Sequence, residues 1–371
     1  MEYLDFGTDL VSCRVSLFHG NRGEAHAVIT PAPGHGSPLS EIEAVSGAAA
    51  DVAARLGMQP VFMRWMLSDV TNQAGLIPDG PACARSIIQQ SPLCGSRASL
   101  LLMLEQDPGL VEIGPGIWKD NHGRIRMGDD DTVECADSAT MTRRYLLNLD
   151  NALRKEGGSL ADNCLRTWFF VRDIDNNYAG LVQARNEVFA GIGLTPETHF
   201  IASTGIAGQS RQPQRLVAFN AFADLGVESR QIRYLTAKSH LSPTYDYGVA
   251  FERGTAVDYA DRRHVYISGT ASINNRGEIV CPGDIAGQTE RMLENIGMLL
   301  EEAGCGAEDL AHLIVYLRDI ADFHTVSDIF SRRFPHVPAA IVLAPVCRPG
   351  WLVETECMAI KGISLPEYDA Y

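Results

Sequence analysis

Apolar positions along the chain fall into blocks that recur three times. The segments Val61-Phe62-Met63-Arg64-Trp65-Met66-Leu67-Ser68-Asp69-Val70, Arg166-Thr167-Trp168-Phe169-Phe170-Val171-Arg172-Asp173-Ile174 and His312-Leu313-Ile314-Val315-Tyr316-Leu317-Arg318-Asp319-Ile320 each read as a buried strand closed by a polar turn. An amphipathic stretch with helical spacing precedes each one, over 40–56, 139–156 and 284–303. Each of these is followed by a glycine suited to ending a helix, Gly57, Gly157 and Gly304. Short strands are predicted ahead of each helix, at 11–18 and 25–30, at 98–105 and 123–127, and at 264–270 and 278–280. Asn121-His122-Gly123 and Asn274-Asn275-Arg276-Gly277 read as hairpin turns. A second helix follows the repeated strand over 178–190 and over 325–333. In the first copy it is missing or very short.

The unit is therefore strand–strand–helix–strand–helix–strand, an α+β arrangement in which a mixed sheet carries helices on one face. Three units predict a pseudo-trimer within one chain, with the second sheet faces buried against each other and clefts between neighbours. The expected divisions are 1–80 for a degenerate first unit, 81–240 for the second and 241–371 for the third.

Composition narrows the class of function. The chain has 371 residues, 46% hydrophobic and 21% charged, enough for two or three domains. No apolar run is long enough to span a membrane, and MEYLDFGTDL lacks the features of a signal peptide. Nine scattered cysteines without a CxxC pair fit reduced thiols, so a cytoplasmic protein is expected. No His/Cys group has zinc-ligand spacing, so neither metal nor cofactor is expected. A net charge of −15 repels phosphate backbones. The expected partner is a small-molecule carboxylate rather than nucleic acid or a membrane. The chain acts as a monomeric pseudo-trimer or self-associates further.

The densest chemistry lies in Val346-Cys347-Arg348-Pro349-Gly350-Trp351-Leu352-Val353-Glu354-Thr355-Glu356-Cys357. A carboxylate on an otherwise apolar strand must be paired, protonated or used. Glu354 is then either an acid with a raised pKa or a solvated residue of an edge strand. Arg348 is either a carboxylate clamp or a salt-bridge partner of Glu354 or Glu356, which would lower the glutamate's pKa. Cys347 has no histidine near it in sequence and reads as part of a pocket wall.

The third unit resembles a domain of the reactive-intermediate deaminase (Rid, or YjgF-like) family. The resemblance is carried by 265–271, Gly283-Asp284, Gln288-Thr289, Asn295-Ile296, Leu299-Leu300, Gly304, 316–319 and 352–356. The middle unit is similar more loosely, through 165–208. The resemblance implies the chorismate-mutase-like fold, ligand clefts between units, and a fused equivalent of a three-chain assembly. Enamine and imine deaminases of that family hold the substrate carboxylate with an Arg two residues after the Pro that precedes the penultimate strand. Here Pro338 is followed by Ala339-Ala340.

Three-unit chains of this kind resemble the chorismatases, which remove pyruvate from chorismate and leave a hydroxybenzoate or a cyclohexadiene diol. Cys347, Arg348 and Glu354 fit that group, as do the loop 203–208, the linker 245–254 and the segment 268–273. The hairpin 274–278 is more like that of a plain Rid domain. The resemblance implies Glu354 as the catalytic proton donor to the enolpyruvyl group, Arg348 as a carboxylate clamp, and Cys347 as a wall that shapes the ring product. In the small-residue loop, Ser203, Thr204 and Gly205 offer N–H and hydroxyl groups to a carboxylate, or simply make a turn. Arg211 adds charge there or is a solvated surface residue. Tyr245 and Arg253 stand in the linker, where they roof a cleft or only pack. Thr270 and Ser272 face a cleft or cap a turn. The alternatives to a chorismatase are a Rid-type enamine/imine hydrolase and a non-catalytic small-carboxylate binding protein. A ribonuclease fits the acidic surface poorly.

Overall fold

The computed structural model describes residues 1–34, 36–133 and 137–371. Three mixed sheets follow one another along the chain. The first part runs β1 (Glu2–Asp5), β2 (Val11–Phe18), β3 (Glu24–Pro31), α1 (Pro38–Leu56), β4 (Gln59–Leu67), the single turn α2 (Val70–Gln73), β5 (Ala84–Gln89), β6 (Ser91–Pro92) and β7 (Ala98–Glu105). The second runs β8 (Val111–Gly114), β9 (Ile117–Lys119), β10 (Arg124–Met127), α3 (Ser138–Lys155), α4 (Leu160–Asn163), β11 (Cys164–Val171), α5 (Ile174–Gly191), β12 (Ala202–Ala207), β13 (Gln209–Ser210) and β14 (Val217–Asp224). The third runs β15 (Ile232–Leu235), β16 (Gly254–Asp258), β17 (Arg262–Ala271), α6 (Ile285–Glu302), β18 (Leu310–Leu317), α7 (Phe323–Arg333), β19 (Ala339–Leu343) and β20 (Val353–Gly362).

The three repeated segments are the equivalent strands β4, β11 and β18. Each lies between an antiparallel neighbour (β7, β14, β20) and a parallel one (β5, β12, β19). Gly57, Gly157 and Gly304 follow the long helices at φ of 63°, 91° and 71°, a left-handed conformation that favours glycine. The second helix of the first unit is reduced to the turn α2. One expectation is corrected: 98–105 is not an opening strand of the second unit. It is β7, held between β3 and β4, so a division at residue 80 would cut the first sheet. Likewise β15, at 232–235, pairs with β16 and belongs to the third sheet rather than to a unit ending at 240. The reason is that each unit's last strand returns to the middle of its own sheet, a long-range pairing that strand pattern alone does not encode.

The helices cover one face of each sheet, and the opposite faces meet in a shared centre. Met66, Leu101, Trp168, Phe170, Ala218, Ile314 and Tyr316 belong to one continuous core. The segments that follow β5, β12 and β19 close the ring. β6 pairs with β19, β13 pairs with β5, and Val346 bridges Ile206 of β12. Each unit thus adds a strand edge to the next, giving the pseudo-threefold arrangement. Among the described residues no helix is long and apolar enough to cross a membrane.

Candidate active site

The bridge from Val346 to Ile206 lays Cys347 and Arg348 of the third unit along α5 of the second. Between these units lies a narrow, tightly closed cavity. Its walls are Tyr178 and Arg185 of α5, Ser203 and Gly205 of β12, and Tyr247, Phe251 and Arg253 from the connecting segment. Gly269 of β17 and the third-unit residues Cys347, Arg348, Trp351 and Glu354 complete it. Tyr178 and Arg185 are seven residues apart, two helical turns, and so share one face of α5.

Glu354 points into this cavity from β20 and is 3% exposed. Among the described residues it has no hydrogen-bond or ion-pair partner. Burial, and then the negative charge of Glu356, push its carboxyl up to about 8, against the pull of Arg253 and Arg166. A break in register between Ile267 and Thr270, a β-bulge in β17, makes room for the carboxyl. A Cβ on Gly269 would stand 2.1 Å from Glu354 Oε1, so glycine leaves the carboxyl its place and a larger residue would displace it. The Gly269 N–H donates to Thr204 Oγ1 at 2.9 Å, which fixes the bulge to the second unit.

Strand register sets this acid apart from its counterparts. Glu354 pairs with Tyr316, and the corresponding partners of Phe170 and Met66 are Ala218 and Ser99. Among the three clefts of the pseudo-trimer, one has a carboxylate at this position.

Three guanidinium groups face Glu354's cavity. Arg348 does not pair with Glu354 or Glu356. Its guanidinium lies over the rings of Tyr247 at 4.5 Å and Trp351 at 5.6 Å. Arg253 is buried and donates to the Ser242 carbonyl at 2.9 Å. Arg185 is buried, and its Nε and Nη2 have no hydrogen-bond partner among the described residues. Burial lowers its pKa, and the neighbouring Tyr178 counters that. Buried guanidinium nitrogens without partners are costly unless something fills the cavity. The sequence reading missed Arg185 and Tyr178, because an Arg on a predicted helix reads as a solvated residue. Their shared spacing on α5 is the signal that could have found them. The Cys347 thiol is pushed up to about 12 by burial and by Glu354, which leaves it neutral and unsuited to attack as a thiolate.

Other expected residues fall elsewhere. Arg211 is a surface residue paired with Asp131. Tyr245 is exposed and borders a neighbouring hollow instead. Thr270 and Ser272 are buried and spend their hydroxyls on the carbonyls of Ser268 and Val280, as strand ends often do. Thr204 faces the centre, where its hydroxyl takes Arg166 Nη2 at 2.5 Å. Ser203 lines the cavity, yet its hydroxyl is bonded to Thr167 Oγ1 at 2.9 Å.

Comparison with known proteins fits this geometry. The model of the endoribonuclease L-PSP family matches residues 254–361. A RutC family protein of Pyrococcus abyssi is 38% identical over 100 residues, 26% of this chain and 78% of that protein. The chain belongs to the Rid (YjgF-like, L-PSP) family. A 2-iminobutanoate/2-iminopropanoate deaminase of Bos taurus is 34% identical over 102 residues, 27% of this chain and 74% of the relative. The Rid sequence match thus falls on the third unit. A solved chorismatase structure superposes with a TM-score of 0.66 at 22% identity, covering 81% of this chain and 92% of the other. At that identity the likeness is one of fold, and it extends over all three Rid-like units.

Proposed function

We propose that this protein is a chorismatase-like enzyme that releases pyruvate from chorismate. What carries the reading is a proton-bearing carboxyl, Glu354, in one cleft with three guanidinium groups. Chorismate is a dianion with an enol ether, so it needs charge matching for two carboxylates and a proton for the enolpyruvyl group. Neutral Glu354 gives its proton to the methylene carbon of that group and becomes a carboxylate. Water adds to the resulting oxocarbenium carbon, and the hemiketal breaks its bond to the ring oxygen. The products are pyruvate and a cyclohexadiene diol, and loss of one water from the diol gives a hydroxybenzoate. Arg185, Arg253 and Arg348 hold the carboxylates, bidentate where the planes match. Cys347 and Trp351 form part of the ring's wall.

The deaminase relative favours imine hydrolysis as a second reading. Against it, Ala340 stands where that family's carboxylate-holding Arg is expected, and Thr204, its register counterpart on β12, is no cation either. Imine chemistry in this cleft would depend on Arg185 instead.

The test is incubation of the protein with chorismate while lactate dehydrogenase reports pyruvate, beside Glu354→Gln. Pyruvate is expected from the unaltered protein, with turnover lower by about 10²–10⁴-fold in the variant. Absence of pyruvate from both would overturn the reading, and ammonia release from 2-iminopropanoate would then favour the second.

A further inference from the structure

Glu354 and Glu356 lie two residues apart on β20, so both point toward the pseudo-threefold centre. Their surroundings differ. Glu356 is 2% exposed and fully partnered by units other than its own. It takes Arg166 Nη2 at 2.8 Å and Trp168 Nε1 at 2.8 Å from β11, and Arg64 Nη1 at 3.2 Å from β4. Arg64 and Trp168 occupy the same place in their repeats, five residues before Asp69 and Asp173. By register Glu356 corresponds to Asn220 and Leu101. The guanidinium of Arg64 also lies 4.8 Å from the Trp168 ring, which packs the cluster together. Two buried guanidinium groups and an indole N–H surround this carboxylate with charge-assisted and neutral donors. One strand pitch away, Glu354 has no donor of its own.

We propose that Glu356, pinned by Arg64, Arg166 and Trp168, is a positioning residue that keeps Glu354 in its proton-bearing form. Units that carry no acid at the position of Glu354 would thereby set its protonation state. The inference rests on reading Glu354 as the acid. The groups that act on Glu354 come from several elements. Arg166 acts on it from β11, and Tyr178 and Arg185 of α5 line its cavity, whereas Tyr316 of β18 acts on Glu356. Arg253, Cys347 and Arg348 face it from the loops. Tyr178, Tyr316 and Cys347 are neutral near pH 7, their burial pushing each upward. The fixed charges are therefore the arginines, which favour the carboxylate, and Glu356, which opposes it. Because Glu356 also neutralises Arg64 and Arg166, its removal acts on Glu354 twice in one direction. One anion is lost and two cations are released.

The test is a carboxyl NMR titration of the full chain labelled with ¹³C at the glutamate side-chain carboxyl. It needs no substrate. The resonance that Glu354→Gln removes identifies Glu354. In the unaltered protein it is expected to titrate well above ordinary carboxylates, and in Glu356→Gln to move down by about one pH unit or more. Should that variant fail to fold, the double variant Arg64→Met, Glu356→Gln keeps the cluster's net charge and is expected to move the Glu354 titration down by a smaller amount, since only Arg166 is released. A Glu354 titration unchanged in whichever variant folds would overturn the proposal. So would a Glu354 resonance already in the ordinary carboxylate range in the unaltered protein. If the pyruvate assay also succeeds, the alkaline limb of kcat moves to lower pH in the same variant. A merely structural role for Glu356 would lower kcat without moving that limb. No pyruvate combined with a shifted titration would sink the chorismatase reading and leave this one standing.

Discussion

At the cleft between the second and third units, the β20 residue paired with Tyr316 is Glu354, and the helix across the gap offers Tyr178 and Arg185. At the groove between the first and third units, the position of Glu354 is taken by Ser99. Counting from the repeated Asp, the helix positions are His324 and Ser331. Ser99 there shares a 2.7 Å hydrogen bond with Thr30 on the neighbouring strand. That groove is wide and open, with Asp5, Asp9 and Arg14 along its rim, whereas the Glu354 cleft is narrow and roofed by Tyr247, Arg348 and Trp351. The same backbone therefore makes two places and only one chemistry. The repeat supplies a cleft, and on the proposed reading single residues on β20 and α5 decide whether it can move a proton.

The strongest way to break the difference is to deny Glu354 its space. Gly269→Ala puts a methyl group where the carboxyl sits, 2.1 Å from Oε1, and the carboxyl must swing out. Since a displacement of about 1 Å at a reacting group costs about 10²-fold, kcat for pyruvate release is expected to fall at least that far. The melting temperature should change little, because the bulge itself remains. Activity close to that of the unaltered protein would show that the position of Glu354 does not matter.

A smaller effect is expected at the cation side. Arg185→Met leaves the volume of α5's inner face nearly filled but removes two unpaired buried donors. Steady-state kinetics should show kcat/KM for chorismate lower by about 10–100-fold, most of it in KM, as expected for one lost charge-assisted contact. Ser331→Ala, at the corresponding place in the open groove, should leave both constants unchanged. Equal losses from the two variants would mean that the clefts are not functionally distinct.

Much of this was legible before any coordinates. The three strand segments with their shared Asp, and the helices with their glycine stops, follow from periodicity, whereas the grouping of Cys347, Arg348 and Glu354 follows from their closeness in sequence and from the resemblance to the chorismatases. Arg253 and Gly205 also line that pocket. What stayed hidden depends on contacts between distant segments. The spacing of Tyr178 and Arg185 puts them on one face of α5, but that this face meets Glu354 is known only once Val346 bridges Ile206. The asymmetry between Glu354 and Glu356 needs Arg64, which is 292 residues away in sequence. Hydroxyls misled in the opposite direction. Thr270 and Ser272 look like ligand groups, yet a buried strand end also has carbonyls to satisfy, and these are nearer.

The finest distinction between the clefts is in stability, and its sign follows from proton binding. Glu354 is held at about 8 in the folded chain, whereas a glutamate in the unfolded chain titrates near its ordinary value of about 4.5. Between those two values the folded state keeps a proton that the unfolded state releases, so stability falls as pH rises through that window. Below it both states are neutral at this residue and nothing is lost. Glu354→Gln removes the dependence. The variant should match the unaltered protein near pH 4 and exceed it at pH 8, by an amount of the order of 4 kcal/mol in chemical denaturation. The Ser99 position holds no ionisable group, so Ser99→Ala should shift the whole curve by a pH-independent amount. A Glu354→Gln curve that runs parallel to the unaltered one would mean that Glu354 is ionised in the folded protein. The cleft between the second and third units would then be a carboxylate-lined binding site rather than a proton donor's pocket.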